Sequence, residues 1–165
     1  LGNEVKENGI EKDLIQPASI DLRLGIKAWR VPASFLPGNG NKVSSRLKDL
    51  AMHEFSLLDG AVLECGCVYI VKLLENVSLT DNLTGIANPK SSTGRLDVFT
   101  RLIVDGSTEF EEVPAGYEGP LYAEISPRTF SVLVRTGSRL NQLRLRRGQP
   151  FTTDKEMELL QEHVG

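Results

Sequence analysis

The sequence predicts a mainly β domain, an all-β barrel or sandwich, and three observations carry that prediction. Short runs rich in β-branched and aromatic residues recur along the chain, each bounded by Gly, Pro or Ser. One of them, SIDLRLG at 19–25, alternates cleanly, with Ile20, Leu22 and Leu24 on one face and Ser19, Asp21 and Arg23 on the other, as a half-buried strand does. The runs do not alternate with long helical segments, so βαβ units are disfavoured, and no internal repeat is present.

Taken in order, LGNEVKENGIEKDLI at 1–15 is polar and weakly periodic, and reads as the fraying end of a helix. SIDLRLG follows as a strand that Gly25 ends, with KAWRV as its hairpin partner. Two prolines and two glycines make PASFLPGNGN, 32–41, a loop. KVSSRLKDLAM then spaces Val43, Leu47 and Leu50 as a short amphipathic helix. HEFSLL and CVYIVKLL read as strands, with an Asp59-Gly60 turn between them. Beyond 96, the strands are VFTRLIV, GPLYAEIS, FSVLVR and LNQLRLR. The tail TTDKEMELLQEHV carries a threonine N-cap, early glutamates and an apolar stripe of Met157, Leu160 and Val164, a helix.

With 165 residues, 40% apolar and 25% charged, the chain suits one soluble domain with its own core. A net charge of -3 supplies no broad electrostatic attraction to nucleic acid or membrane. No apolar run reaches the ~18 residues of a membrane span, and the first residues lack the signature of a signal peptide, so a cytoplasmic location is expected. Cys65 and Cys67 are expected as small residues sharing one strand face, because no further cysteine completes a zinc site or a disulfide framework. The chain begins at Leu1, which suggests a trimmed N-terminus.

Two stretches carry candidate chemistry. NPKSSTGRL, 88–96, gathers two cations and three hydroxyls. Pro89 pushes Asn88 toward extended geometry, Ser91 or Ser92 can cap a short helix with free N–H groups, and Lys90 and Arg95 add positive charge there, as a phosphate site requires. A surface turn with a serine cap and two solvated cations explains the same residues more simply, and the order is not that of a P-loop. In EEVPAGYEGPLYAEISP, 111–127, a Pro114–Gly116 turn leads to a strand where Glu124 stands among apolar neighbours. Such a carboxylate is either on the solvated face or paired and used, with Arg95 as the expected partner.

Four motifs together resemble the dCTP deaminases of the dUTPase-like superfamily: QPASIDLRLG (16–25), KSSTGRL (90–96), PAGYEGPLYAEIS (114–126) and GSRLNQL (137–143), in that order. The likeness is nearest to the long bacterial form. It implies a dUTPase-like β-clip, a distorted barrel with a few short helices, over residues 1–150, with 151–165 a helical linker toward a missing C-terminal half. It implies a homotrimer with active sites between subunits, hydrolysing dCTP to dUTP and ammonia, and magnesium carried by the triphosphate. Glu124 matches the general base and proton shuttle, Ser91 and Arg95 the residues that hold water and glutamate, and Lys90 and Ser92 phosphate contacts. The region Val104 to Gly106, with Val104 and Asp105 as candidates, falls where a backbone carbonyl helps hold the water, and Gln142 is implied as a substrate contact.

One carboxylate can serve both steps of the chemistry, taking the proton of the water that attacks C4 and returning it to the leaving amine. No zinc is expected, because His53-Glu54 and Cys-Gly-Cys lack the ligand spacing of zinc deaminases. The sequence departs from the family in three places: Lys90 replaces a more usual arginine, VDGSTEFEE lengthens the loop before Glu124, and no closing arm is recognisable after Arg147. A dUTP diphosphatase, a bifunctional enzyme and a non-catalytic nucleotide-binding or assembly domain are the competing expectations.

Overall fold

The structure, a computed structural model, describes residues 5–6 and 19–147. Eleven strands and two short helices follow in the order β1 (Val5–Lys6), β2 (Ile20–Val31), α1 (Val43–Leu50), β3 (His53–Ser56), β4 (Ala61–Leu63), β5 (Val68–Ser78), β6 (Leu83–Pro89), α2 (Ser91–Arg95), β7 (Val98–Val104), β8 (Glu112–Val113), β9 (Glu118–Pro127), β10 (Val132–Val134) and β11 (Arg139–Arg147). The mainly β expectation holds. The main sheet runs β7-β9-β5-β2-β11-β6-β8, with β1 on β5 and β3 on β2, while β4 and β10 pair separately.

Alternation sorts the side chains of this curled sheet into two layers. Ile20, Leu22, Leu24, Val71, Leu73, Leu102, Val104, Leu121, Ala123, Ile125 and Leu143 fill the interior. On the outer face, Ile70, Ile103 and Tyr122 meet Val43 and Leu47 of α1, Val31, and partly buried Trp29, Phe35, Leu36 and Phe110. Thus α1 and the 32–42 loop form a cover over β5, β7 and β9. Asp105 anchors it, its Oδ1 accepting from Val43 N at 2.8 Å, so an orphan N–H of the first helical turn is satisfied. Trp29 Nε1 donates to Glu54 Oε2 at 2.8 Å.

Several local expectations are corrected. Gly25 does not end a strand: β2 continues through it to Val31, with a register shift against β5 between Leu24 and Ala28. A Cβ there would lie 2.4 Å from Lys72 O, so the missing side chain permits the close crossing that bends the strand. Cys65 and Cys67 flank Gly66 in the turn joining β4 and β5 rather than sharing a strand face, and both are free thiols. Val5–Lys6 pairs with Val77 and Asn76 as a strand in place of the expected helix end. The two-residue β8 was not signalled by alternation, while the strand end expected at Asn88 before Pro89 is the end of β6. The tail helix lies outside the described residues.

Candidate active site

Glu124 is the middle of β9, with Arg101 of β7 opposite it on one side and Ile70 of β5 on the other. Its side chain points outward beneath the cover and is 1% exposed. Burial of this carboxylate is tolerable because both oxygens meet donors. Arg101 Nη2 donates to Oε1 at 2.7 Å, Arg101 Nε reaches the same oxygen at 3.2 Å, and Ser34 Oγ donates to Oε2 at 2.6 Å. Arg101 Nη2 also lies 2.6 Å from Ser34 Oγ, closing a three-residue ring. The guanidinium stacks over Phe110 at 3.6 Å and Phe99 at 4.8 Å, so aromatic faces hold the half-buried cation in place.

The expected Arg95 pairing of Glu124 is therefore corrected within one chain: register places Arg101 across from the carboxylate, whereas Arg95 ends α2 and is exposed. Among the described residues, no hydrogen bond or ion pair engages the side chains of Ser91, Ser92 or Arg95. The serine cap is also replaced. Lys90 occupies the N-cap with extended backbone (φ -67, ψ 149), and no side chain caps the helix. Two tethers to β11 fix α2 instead: Lys90 N and Thr93 Oγ1 each donate to Leu140 O at 2.9 Å. Its serines and arginine are left facing outward.

Lys90 Nζ is ion-paired with the buried Asp21 carboxylate. Gln142 stands opposite both Asp21 and Asn88 in the ladders, and its Oε1 accepts from Ser19 Oγ at 3.2 Å. Val104 is buried and its carbonyl accepts from Ser107 N at 3.3 Å. Asp105 spends its side chain on α1, so this segment has backbone rather than a free carboxylate to offer. The structure thus gathers Lys90, Ser91, Ser92, Arg95 and Gln142 into a polar band at β6, β11 and α2 against Asp21 of β2, sets Glu124 apart as a buried carboxylate at β9, and places Val104 and Asp105 at the end of β7.

Residues that motif reading missed are Ser34, Arg101 and Glu111. Arg101 is the sole charge in VFTRLIV, as Glu124 is in LYAEIS, and two opposite lone charges in apolar strands were the available signal. Glu111 lies beside them: burial pushes its carboxyl up to about 7, with a hydrogen bond from Leu102 N and the Arg101 charge opposing that rise. Tyr122, on the same sheet face as Glu124, is pushed up to about 12 by burial and keeps its proton at neutral pH. An open cleft of about 430 Å³ lies elsewhere, lined by Asn39, Gly106, Ser107, Thr108, Glu109, Glu112 and Pro114. Its two carboxylates oppose a triphosphate, and it holds none of the expected site residues. No group of three His, Cys, Asp or Glu side chains among the described residues could hold a metal ion, and no helix among them is long and apolar enough to cross a membrane.

A curled, mainly antiparallel barrel with this cover is the dUTPase-like fold. EIAV dUTPase is similar in structure with TM-score 0.53 at 11% identity, over 92% of this chain and 97% of that one. A variant dUTPase from phage phi11 of S. aureus gives 0.55 at 13%, over 90% and 92%. Within that class the chain belongs to the family described as the 2'-deoxycytidine 5'-triphosphate deaminase N-terminal domain, which matches residues 2–149. The 2'-deoxycytidine 5'-triphosphate deaminase of Agrobacterium tumefaciens is 53% identical, with TM-score 0.86, over 98% of this chain and 49% of that one. The chain spans about half the length of that relative. No curated protein matches it.

Proposed function

We propose that this chain hydrolyses dCTP to dUTP and ammonia, supplying pyrimidine deoxynucleotides, in a site that a second copy completes. The observation that carries the reading is Glu124: a carboxylate buried in a strand, with both oxygens held by Arg101 and Ser34. General bases in such positions are pre-oriented at no cost during reaction.

In this reading water adds to C4 of the cytosine and its first proton passes through Glu124 to N3; the remaining hydroxyl proton then passes through Glu124 to the amino group, which leaves as ammonia as the C4 carbonyl forms. Arg101 steadies the charge of Glu124 before attack. Ser91 and Arg95 of a neighbouring copy orient the water and the carboxylate, because within one chain they face outward from α2. Lys90 and Ser92 meet phosphate, with Lys90 exchanging its Asp21 contact for the anion. The Val104–Asp105 backbone supplies the carbonyl beside the water, and Gln142 contacts the nucleotide. Magnesium enters as counterion of the triphosphate, zinc takes no part, and the assembly is a homotrimer in the cytoplasm. Family membership and the 53% identical deaminase structure support this reading.

The test is release of ammonia from dCTP and of pyrophosphate from dUTP, with magnesium, by this chain and by Glu124→Gln. Ammonia that disappears in the variant is the expected result. Pyrophosphate from dUTP alone would move the assignment to a diphosphatase, and binding without turnover of either nucleotide would make the domain a binding module.

A further inference from the structure

Among the described residues, three glutamate side chains are taken into the body of this molecule, and they are satisfied unequally. Glu124 receives donors on both oxygens. Glu75, 1% exposed, does too: Arg23 N donates to Oε2 at 2.8 Å and Arg23 Nε to Oε1 at 2.9 Å. Glu111 receives one bond on Oε1, a long 3.2 Å from Leu102 N, and its buried Oε2 meets no described partner. Leaving one buried oxygen without a partner costs an ionised carboxylate far more than a neutral acid.

The place is structurally particular. Glu111 N donates to Leu102 O at 3.0 Å, and Ala87 N donates to Glu111 O at 2.8 Å. One residue therefore stitches the free edge of β7 to β6, where no ladder joins them, and does so at φ 70, a strained value for a side chain larger than glycine. Its neighbour Phe110 carries the Arg101 guanidinium on its face.

We propose that Glu111 is a positioning residue: its backbone stitches β7 to β6, its carboxyl fixes the edge of β7 through Leu102, and while uncharged it leaves Arg101 to Glu124 and Ser34. The role in turnover rests on the reading of Glu124 as the base. The charges that face Glu111 are Arg101 from β7 and Glu124 from β9; β6 carries none, and Glu109 and Glu112, on its own loop and β8, are solvent-exposed. Burial raises the folded carboxyl from 4.5 to about 7. The folded state therefore binds the extra proton, so the contribution of Glu111 to stability is full below 4.5 and is lost as pH rises through about 7. Above that value, a second anion competes for Arg101.

The experiment follows carbon-13 carboxyl resonances and the Arg101 Nε–H resonance from pH 5 to 9, in this chain and in Glu111→Gln, with thermal unfolding over the same range. One carboxyl titrating near 7 and absent from the variant, an Arg101 signal that moves with the same midpoint and is still in the variant, and a loss of Tm across the window that the variant does not share are expected. Titration near 4.5, or an Arg101 signal that moves alike in both proteins, would overturn the proposal. Turnover of dCTP then reads the consequence: a fall of about tenfold by pH 8 in the parent and a flatter alkaline limb in Glu111→Gln. If no ammonia is released at any pH, the deaminase reading fails while the resonances still decide the state of Glu111.

Discussion

Glu124 and the α2 segment carry the expected chemistry in opposite ways. The Glu124 carboxylate is closed in, with two partners, an aromatic-stacked arginine and 1% exposure. At α2 the candidate residues are open, with Ser91, Ser92 and Arg95 exposed and their side chains without partners among the described residues. A site that folded within one chain would satisfy both halves together. That difference is what the proposed two-copy site expects, with one chain holding the carboxylate and the other supplying the residues of α2.

That contrast can be broken by substitution. Glu124→Gln is expected to cut ammonia release by about 10²–10⁴-fold, the range of a general base, while circular dichroism is unchanged. Arg101→Met should lower stability by about 3–5 kcal/mol, because it strands a buried carboxylate, and adding Glu124→Gln should recover much of the loss in urea unfolding. A single variant as stable as the parent would show that the pair is not what holds β7 to β9.

Arg95→Ala should leave stability within about 0.5 kcal/mol, as exposed substitutions do, while turnover falls. Mixing that variant with Glu124→Gln sharpens the comparison: restored ammonia release places the two residues on different copies, and continued silence places them on one. Among the substitutions that touch Glu124, the smallest effect belongs to Ser34→Ala, which removes one donor to a carboxylate that Arg101 still holds. About 1–2 kcal/mol is expected from differential unfolding.

The fold class and most strands were legible because alternation and turn residues are local properties. Gly25 misled because a glycine ending a strand and a glycine admitting a crossing backbone look alike until Lys72 is placed beside it. Cys65 and Cys67 misled for a similar reason: the spacing of two suits a strand face, but Gly66 at φ 78 turns the chain between them. Glu124 was legible as an anomaly, a charge amid apolar strand residues. Its partner was not, since Arg101 is fixed by the register of β7 on β9 and Ser34 by a loop 90 residues away in sequence. Motif order located α2 without revealing that Lys90, and not a serine, occupies its N-cap.

Trp29 gives the cover over Glu124 an optical consequence. It is the one tryptophan in the chain, packed at the margin of the outer layer with Val31, Phe35 and Leu36, and its indole N–H is held by Glu54. Its emission is therefore an intrinsic fluorescence gauge of that layer. A red shift that precedes the loss of circular dichroism during gentle denaturation would time the uncovering of the carboxylate separately from the melting of the barrel, without any dye or engineered label.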